Sequence, residues 1–239
     1  MSGRGVGEPP ARAGVACALM ALATLLVGAF LAEQSWIDLA VARSFYLPPG
    51  HFLFAGDPVI GAVRRLANNL ALPVILGALG LGLWSWRLRR PVLGIDPRRA
   101  AFVVLALALG PGLVVNAVLK EHVGRARPAQ LETFGGEASF SPAWTLSDQC
   151  AENCSFVSGD VAAAAAMLAP ALLVAARWRA LAIIAAVALT AIVALARMTV
   201  GAHFLSDVLT AAFLTWTITT GLHWLIVERR GGAAPEGTG

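Results

Sequence analysis

Charge is scarce in this 239-residue chain: Asp, Glu, Lys and Arg supply 13% of it, while 58% is hydrophobic and the mean hydropathy is +0.72. A soluble domain carries roughly a quarter charged residues, so an ordinary globular protein is excluded. The apolar excess excludes a disordered chain as well. Lysine is nearly missing: of 18 basic residues, 17 are arginine and one, Lys120, is lysine. The net charge is only +4, so a pI near 9.6 is no nucleic-acid signal and no nucleic-acid partner is expected. Histidine and cysteine number four and three. No stretch gathers them, or paired carboxylates, at ligand spacing, so neither a metal nor another cofactor is expected. No internal repeat or second domain is visible.

Apolar length fills the chain instead. Crossing the hydrocarbon core takes roughly 20 apolar residues, and six stretches qualify: 13–32, 70–86, 100–119, 160–176, 180–195 and 203–227. The first is too long for a signal-peptide core and is read as a retained anchor. The expected fold is therefore all-α, an integral membrane bundle of six transmembrane helices. Residues 1–12 form an N-terminal tail, 13–230 the membrane domain and 231–239 a disordered Gly-rich tail. Pro73, Pro111 and Pro170 fall inside spans, where neighbours can satisfy the freed carbonyls.

Arginine orients the bundle. With both termini cytoplasmic, Arg4, Arg12, Arg87, Arg89, Arg90, Arg98, Arg99, Arg177, Arg179, Arg229 and Arg230 lie inside. Trp84, Trp86, Trp178 and Trp224 then fall at inner boundaries and Trp36 at the outer one, as an aromatic belt requires. The two long loops, 33–56 and 121–157, face outward. Cys150 and Cys154 sit in the second loop. One helical turn there brings them within disulfide range; otherwise they are two free thiols.

Charged residues at span edges are costly and mark function. Here they form three stretches, each mapping to the outer side: Lys120 to Pro128, Ser155 to Asp160, and Arg197 to Asp207. Lys120, Arg127 and Arg197 supply three fixed positive charges, suited to a dianionic phosphate. Ser158 and Gly159 stand where a helix begins, adding backbone N–H groups. His203 and Asp207, four apart, share a helix face. The carboxylate can hold the imidazole while the other ring nitrogen attacks phosphorus. Phosphoryl transfer through a phosphohistidine is the chemistry these residues describe. Arg125 reads as a solvated loop or headgroup contact, and Arg64 and Arg65 as interfacial cations or headgroup guides. The alanines from Ala162 to Ala166 read as close helix packing.

Lys-x6-Arg-Pro, Ser-Gly and Arg-x5-His-x3-Asp, in this order over residues 120–207, resemble the three-part signature of the type 2 phosphatidic acid phosphatase superfamily. The resemblance implies a metal-independent phosphatase. In it Lys120, Arg127, Ser158, Gly159 and Arg197 bind phosphate, His203 is the nucleophile and Asp207 its partner. One position departs: the family has a histidine after Ser-Gly as the acid for the leaving group, and this chain has Asp160. Asp160 itself is one candidate acid and His122 another. A leaving group needing little help is the third reading, which favours an anomeric lipid A phosphate or a polyprenyl diphosphate. The stretch around Asp160 is most similar to bacterial lipid A phosphatase-like members.

The expectation is thus a lipid phosphate phosphatase in a bacterial inner membrane, facing the periplasm. Its partners would be an anionic lipid substrate and the bilayer, with no obligate protein partner. Transfer to a second lipid is the alternative within enzymes. A catalytically impaired lipid binder or transporter is the alternative outside them, although polar residues that stop at the outer edge do not suit transport.

Overall fold

The computed structural model describes residues 10–48 and 50–229. The chain runs through α1 (Pro10–Glu33), α2 (Trp36–Ser44), a hairpin of β1 (Tyr46–Leu47) and β2 (His51–Phe52), α3 (Pro58–Leu88) and α4 (Pro97–Leu107). A π-helical segment, Ala108–Leu119, continues α4 into α5 (Lys120–His122). After a long loop come α6 (Gly159–Ala165), α7 (Leu168–Leu173), α8 (Ala176–Thr199) and α9 (Leu205–Leu222), the last prolonged by a π-helical turn, His223–Glu228. Helix α1 takes in the end of the expected tail at 1–12. The rest of that tail and the expected tail at 231–239 lie outside the described residues.

Local chemistry sets the boundaries. Asp57 and Asp96 each precede a proline and cap the helix that follows, Asp57 accepting from the Val59 and Ile60 N–H groups at 2.8 and 3.0 Å and Asp96 from Arg99 N–H at 2.9 Å. Helix α3 stops at Arg89, whose φ of 52° is left-handed. Pro111 cannot donate to Leu107, and there the third span widens into the π-helical segment. Pro170 has the same effect on Ala166, whose carbonyl accepts from Ala169 N–H (3.0 Å) instead, and the chain breaks into α6 and α7.

Among the described residues five helices are long and apolar enough to cross a membrane: Gly14–Glu33, Pro58–Leu88, Pro97–His122, Ala176–Thr199 and Leu205–Glu228. The fourth expected span differs. It is the shorter apolar helix Gly159–Leu173, which reaches only about 22 Å at 1.5 Å per residue, and it is interior. Ala162, Ala164, Ala165 and Ala166 are fully buried, because α6 packs among α3, α8 and α9, and small side chains let those backbones approach. The long helices turn large aliphatic side chains outward, including Leu25, Leu72, Leu83 and Ile184. Helix α1 docks on α9, where the Thr24 and Thr217 hydroxyls meet at 2.8 Å.

The two long loops are structured. A buried cluster of Ala42, Phe52, Ala126, Leu131, Phe134 and Phe204 joins α2, the hairpin and the 121–157 loop to the start of α9. Gly201 closes the turn after α8 with φ 67° and lies against the Phe52 ring, so a side chain is excluded both by conformation and by space.

Candidate active site

Backbone hydrogen bonds tie the three polar stretches together. Ser155 N–H donates to Arg125 O (2.8 Å), Ala129 N–H to Gly201 O (2.9 Å) and Ser158 N–H to Asp207 O (3.4 Å). Ser158 caps α6 through its hydroxyl, which accepts from Val161 N–H at 3.4 Å. The Gly159 that follows admits no side chain, because a Cβ there would stand 2.5 Å from Asn116 Oδ1.

His203 precedes α9 and is buried. Its Nδ1 is 2.8 Å from the Ser155 carbonyl, so Nδ1 carries the proton and donates there. Nε2 has no hydrogen-bond partner among the described residues. Asp207 is 3.7 Å from Nδ1, so the spacing argument that made it the direct holder of the ring is corrected: Ser155 holds the ring. Asp207 accepts instead from Ser155 Oγ (2.5 Å) and, as the third residue of α9, from Phe204 N–H (2.8 Å). Burial pushes His203 below its ordinary value, opposed by Asp207 and assisted by Arg197 and Arg127.

The other predicted residues gather beside it. Asp160 Oδ2 lies 2.8 Å from Arg197 Nε, a charge pair without hydrogen-bond alignment, and Asp160 Oδ1 accepts from Asn68 Nδ2 at 2.6 Å. Arg127 donates through Nε and Nη2 to Asn153 O, at 3.2 and 2.7 Å. Lys120 has no hydrogen-bond or ion-pair partner among the described residues and shares its surroundings with Asp160, Arg127 and Arg197. A cavity of about 420 Å³ opens there, lined by Lys120, Asn116, Asp160 and Asn68 and running onto Ile75 and Leu107. A larger hollow of about 500 Å³ at the far end of α3, lined by Arg87, Arg89 and Arg90 with Ser85 and Asp96, holds no histidine. His122, the other candidate acid, is exposed and its Nδ1 is bonded to Val118 O at 2.7 Å.

Arg125 requires the largest correction. Read from the sequence as a solvated loop residue, it is 0% exposed and is the largest fully buried side chain. It pairs with Asp207 at 2.6 Å and with Asp38 of α2 at 2.8 Å. Asp38 and Asn68 were not singled out at all. Asp38 had one legible signal, a carboxylate set within the apolar run Trp36-Ile-Asp-Leu-Ala-Val. Arg64, expected before the second span, lies inside α3 near its start, within Coulombic reach of Arg127 and Arg197. Cys150 and Cys154 are joined as a disulfide, with Cα atoms 5.6 Å apart. No group of three or more His, Cys, Asp or Glu side chains able to hold a metal occurs among the described residues.

Known proteins resemble this chain in sequence and fold. The model of the PAP2 superfamily matches residues 99–230, more than half of the chain. The lipid A 4'-phosphatase of Francisella tularensis subsp. novicida is 31% identical over 228 residues, 88% of this chain and 99% of that protein. The lipid A 4'-phosphatase of Rhizobium etli is 43% identical over 103 residues, 43% of this chain and 40% of that one. The crystal structure of a transmembrane PAP2-type phosphatidylglycerolphosphate phosphatase from Bacillus subtilis superposes with a TM-score of 0.55 at 20% identity, over 87% of this chain and 94% of that one. The apolar helices and these relatives agree: the chain belongs to the PAP2 superfamily, as a multi-pass membrane phosphatase.

Proposed function

We propose that the protein removes the 4'-phosphate of lipid A at the periplasmic face of a bacterial inner membrane, through a phosphohistidine on His203. The observation that carries the substrate assignment is the near full-length similarity to a lipid A 4'-phosphatase. This departs from the expectation from sequence, which favoured an anomeric lipid A phosphate or a polyprenyl diphosphate over a simple phosphomonoester such as the 4'-phosphate. The orientation is supported by the spacing along α3: Asn68, at the site, and Arg87, at the opposite end, are 19 residues apart, or about 29 Å of helix. That places the arginine-rich connection on the side opposite the site, as the positive-inside rule asks of cytoplasmic loops.

The chemistry runs as follows. Lys120, Arg127 and Arg197 bind the phosphate oxygens, and the N–H groups at the start of α6 assist. Binding takes Arg197 from Asp160, and Asp160 takes over the proton that the incoming phosphate monoester brings. His203 Nε2 attacks phosphorus as the P–O bond to the sugar breaks, and Asp160 gives its proton to the departing alkoxide. The positive charge left on the imidazole is balanced by Asp207, while Nδ1–H stays on the Ser155 carbonyl. Water, deprotonated by Asp160, then cleaves the N–P bond and releases phosphate.

The test is phosphate release by the purified full-length protein from lipid A carrying both phosphates, with mass spectrometry locating the loss. Loss at the 4' position alone, abolished in His203→Ala, is expected. Loss at the 1 position overturns the substrate assignment, and activity in His203→Ala overturns the mechanism.

A further inference from the structure

The buried cluster behind His203 is larger than the nucleophile needs. Arg125 Nη1 donates to Asp207 Oδ1 (2.6 Å) and to Ser206 Oγ (2.8 Å), Nη2 to Asp38 Oδ2 (2.8 Å) and Nε to Ser141 O (2.9 Å). Four of the five guanidinium donors are thus spent. Asp38 accepts in addition from Ser206 N–H (2.9 Å) and Ser206 Oγ (2.5 Å). The guanidinium lies 4.2 Å from the centroid of the Phe204 ring and 5.5 Å from that of Phe140. Arg125, Asp38, Ser206 and Asp207 are all sealed from solvent, so none of the four can touch a substrate. One cation there bridges two carboxylates that lie 169 positions apart in the chain.

We propose that Asp38 and Arg125 are positioning residues for the reaction. Asp38 fixes the Arg125 guanidinium, Arg125 fixes Asp207, and Asp207, through Ser155, sets the orientation and charge balance of His203. The inference rests on His203 being the nucleophile. Two relations on the page carry it. Ser155 bonds at once to Asp207 through its hydroxyl and to His203 through its carbonyl, so a shift of Asp207 moves the group that holds the ring. Arg125 is also the one cation in contact with Asp207 among the described residues, so it decides how much negative charge the imidazole faces.

The charged groups facing His203 are Asp207 on α9, Arg197 at the end of α8 and Arg127 beyond α5. Asp160 on α6 is paired with Arg197. Against that fixed set, the two residues pull in opposite directions. Asp38→Asn removes one carboxylate from Arg125, leaving a net extra positive charge behind the ring and disfavouring imidazolium. Arg125→Gln removes the cation and leaves Asp207 uncompensated, favouring imidazolium.

The experiment measures kcat, KM and the pH profile of kcat/KM for phosphate release from lipid A by full-length Asp38→Asn, Arg125→Lys and Arg125→Gln, alongside thermal unfolding. Asp38→Asn is expected to lose about tenfold or more in kcat with KM within about twofold of wild type, and its acid limb should move to lower pH. Arg125→Gln should move that limb to higher pH, and Arg125→Lys should retain more turnover than Arg125→Gln. Should Arg125→Gln fail to fold, Asp38→Asn decides alone. An unaltered kcat and pH profile in Asp38→Asn overturns the inference. So do losses of turnover that track thermal stability while the acid limb stays fixed, since those describe scaffolding only. Activity in His203→Ala removes the nucleophile reading itself, whereas a dead His203→Ala beside an unchanged Asp38→Asn removes only this inference.

Discussion

Arg197 and Asp160 stand as a charge pair at 2.8 Å, with Asn68 holding the far oxygen of the carboxylate at 2.6 Å. The protein's own carboxylate therefore occupies the cation that the superfamily pattern assigns to phosphate. Asp160→Asn releases Arg197, so inorganic phosphate should inhibit about tenfold more tightly, or about 1.4 kcal/mol. The same change removes the proposed proton donor, and kcat should fall about a hundredfold. Asp160→His should restore part of that turnover. Inhibition and turnover measured on the same preparations check the pair of effects. Unchanged turnover in Asp160→Asn would move the acid role elsewhere.

Burial lowers His203 below its ordinary value despite the nearby Asp207 carboxylate, and two pH effects follow. A nucleophilic imidazole must be neutral, so the acid limb of kcat/KM should lie below the ordinary histidine value of about 6.5. Stability carries the same sign. Above about 6.5 the ring is neutral in both folded and unfolded chains. As pH falls below that value the unfolded chain takes up a proton that the folded one resists, so this contribution to stability declines. Thermal unfolding followed between pH 8 and pH 5 in His203→Gln should show a smaller decline than in the wild type.

The three polar stretches and their order along the chain were legible because each charge there sits beside an apolar run, where charge has a reason to be. Arg125 was misread for a physical reason. Its neighbours in sequence, Gly124 and Ala126, say nothing of what covers it, and its partner Asp38 lies 87 residues away. A buried ion pair leaves no local periodicity. The same holds for Ser155, which was legible as part of a stretch but not as the group that holds His203, because a backbone carbonyl has no residue type. The fourth expected span is an apolar helix too short to stand among the five long ones of the described residues, since hydropathy does not show that α6 is enclosed by protein.

The disulfide bears on binding more than on stability. Cys150 and Cys154 enclose Asn153, whose carbonyl receives both Nε and Nη2 of Arg127. Closing so short a loop contributes about 2 kcal/mol in the chain-entropy account. Replacing both cysteines with serine frees Asn153 and so loosens Arg127. KM for the lipid should rise by about threefold or more and kcat should fall beside it, because Arg127 holds oxygens of the phosphoryl group that is transferred. Reductant should reproduce the effect in the wild-type protein and leave the double serine variant unaffected. A fall in kcat with unchanged KM would break the link between the bridge and Arg127.

Lys120 is the single lysine among 18 basic residues, and it ends the π-helical segment half-buried at the cavity that also holds Asp160 and Asn116. Arg127 and Arg197 already crowd the same space with planar guanidinium groups. A compact ammonium on a flexible stem can approach a phosphate oxygen from the remaining side as a point charge, while a third guanidinium needs room for a flat fork. Lys120→Arg keeps the charge and changes only that shape. It should lower kcat/KM by more than about tenfold with the melting temperature unchanged, and Lys120→Met, which removes the charge as well, should fall further. Turnover near wild type in Lys120→Arg would make charge alone sufficient at this position, and the one lysine in an arginine-rich chain would carry no chemical meaning.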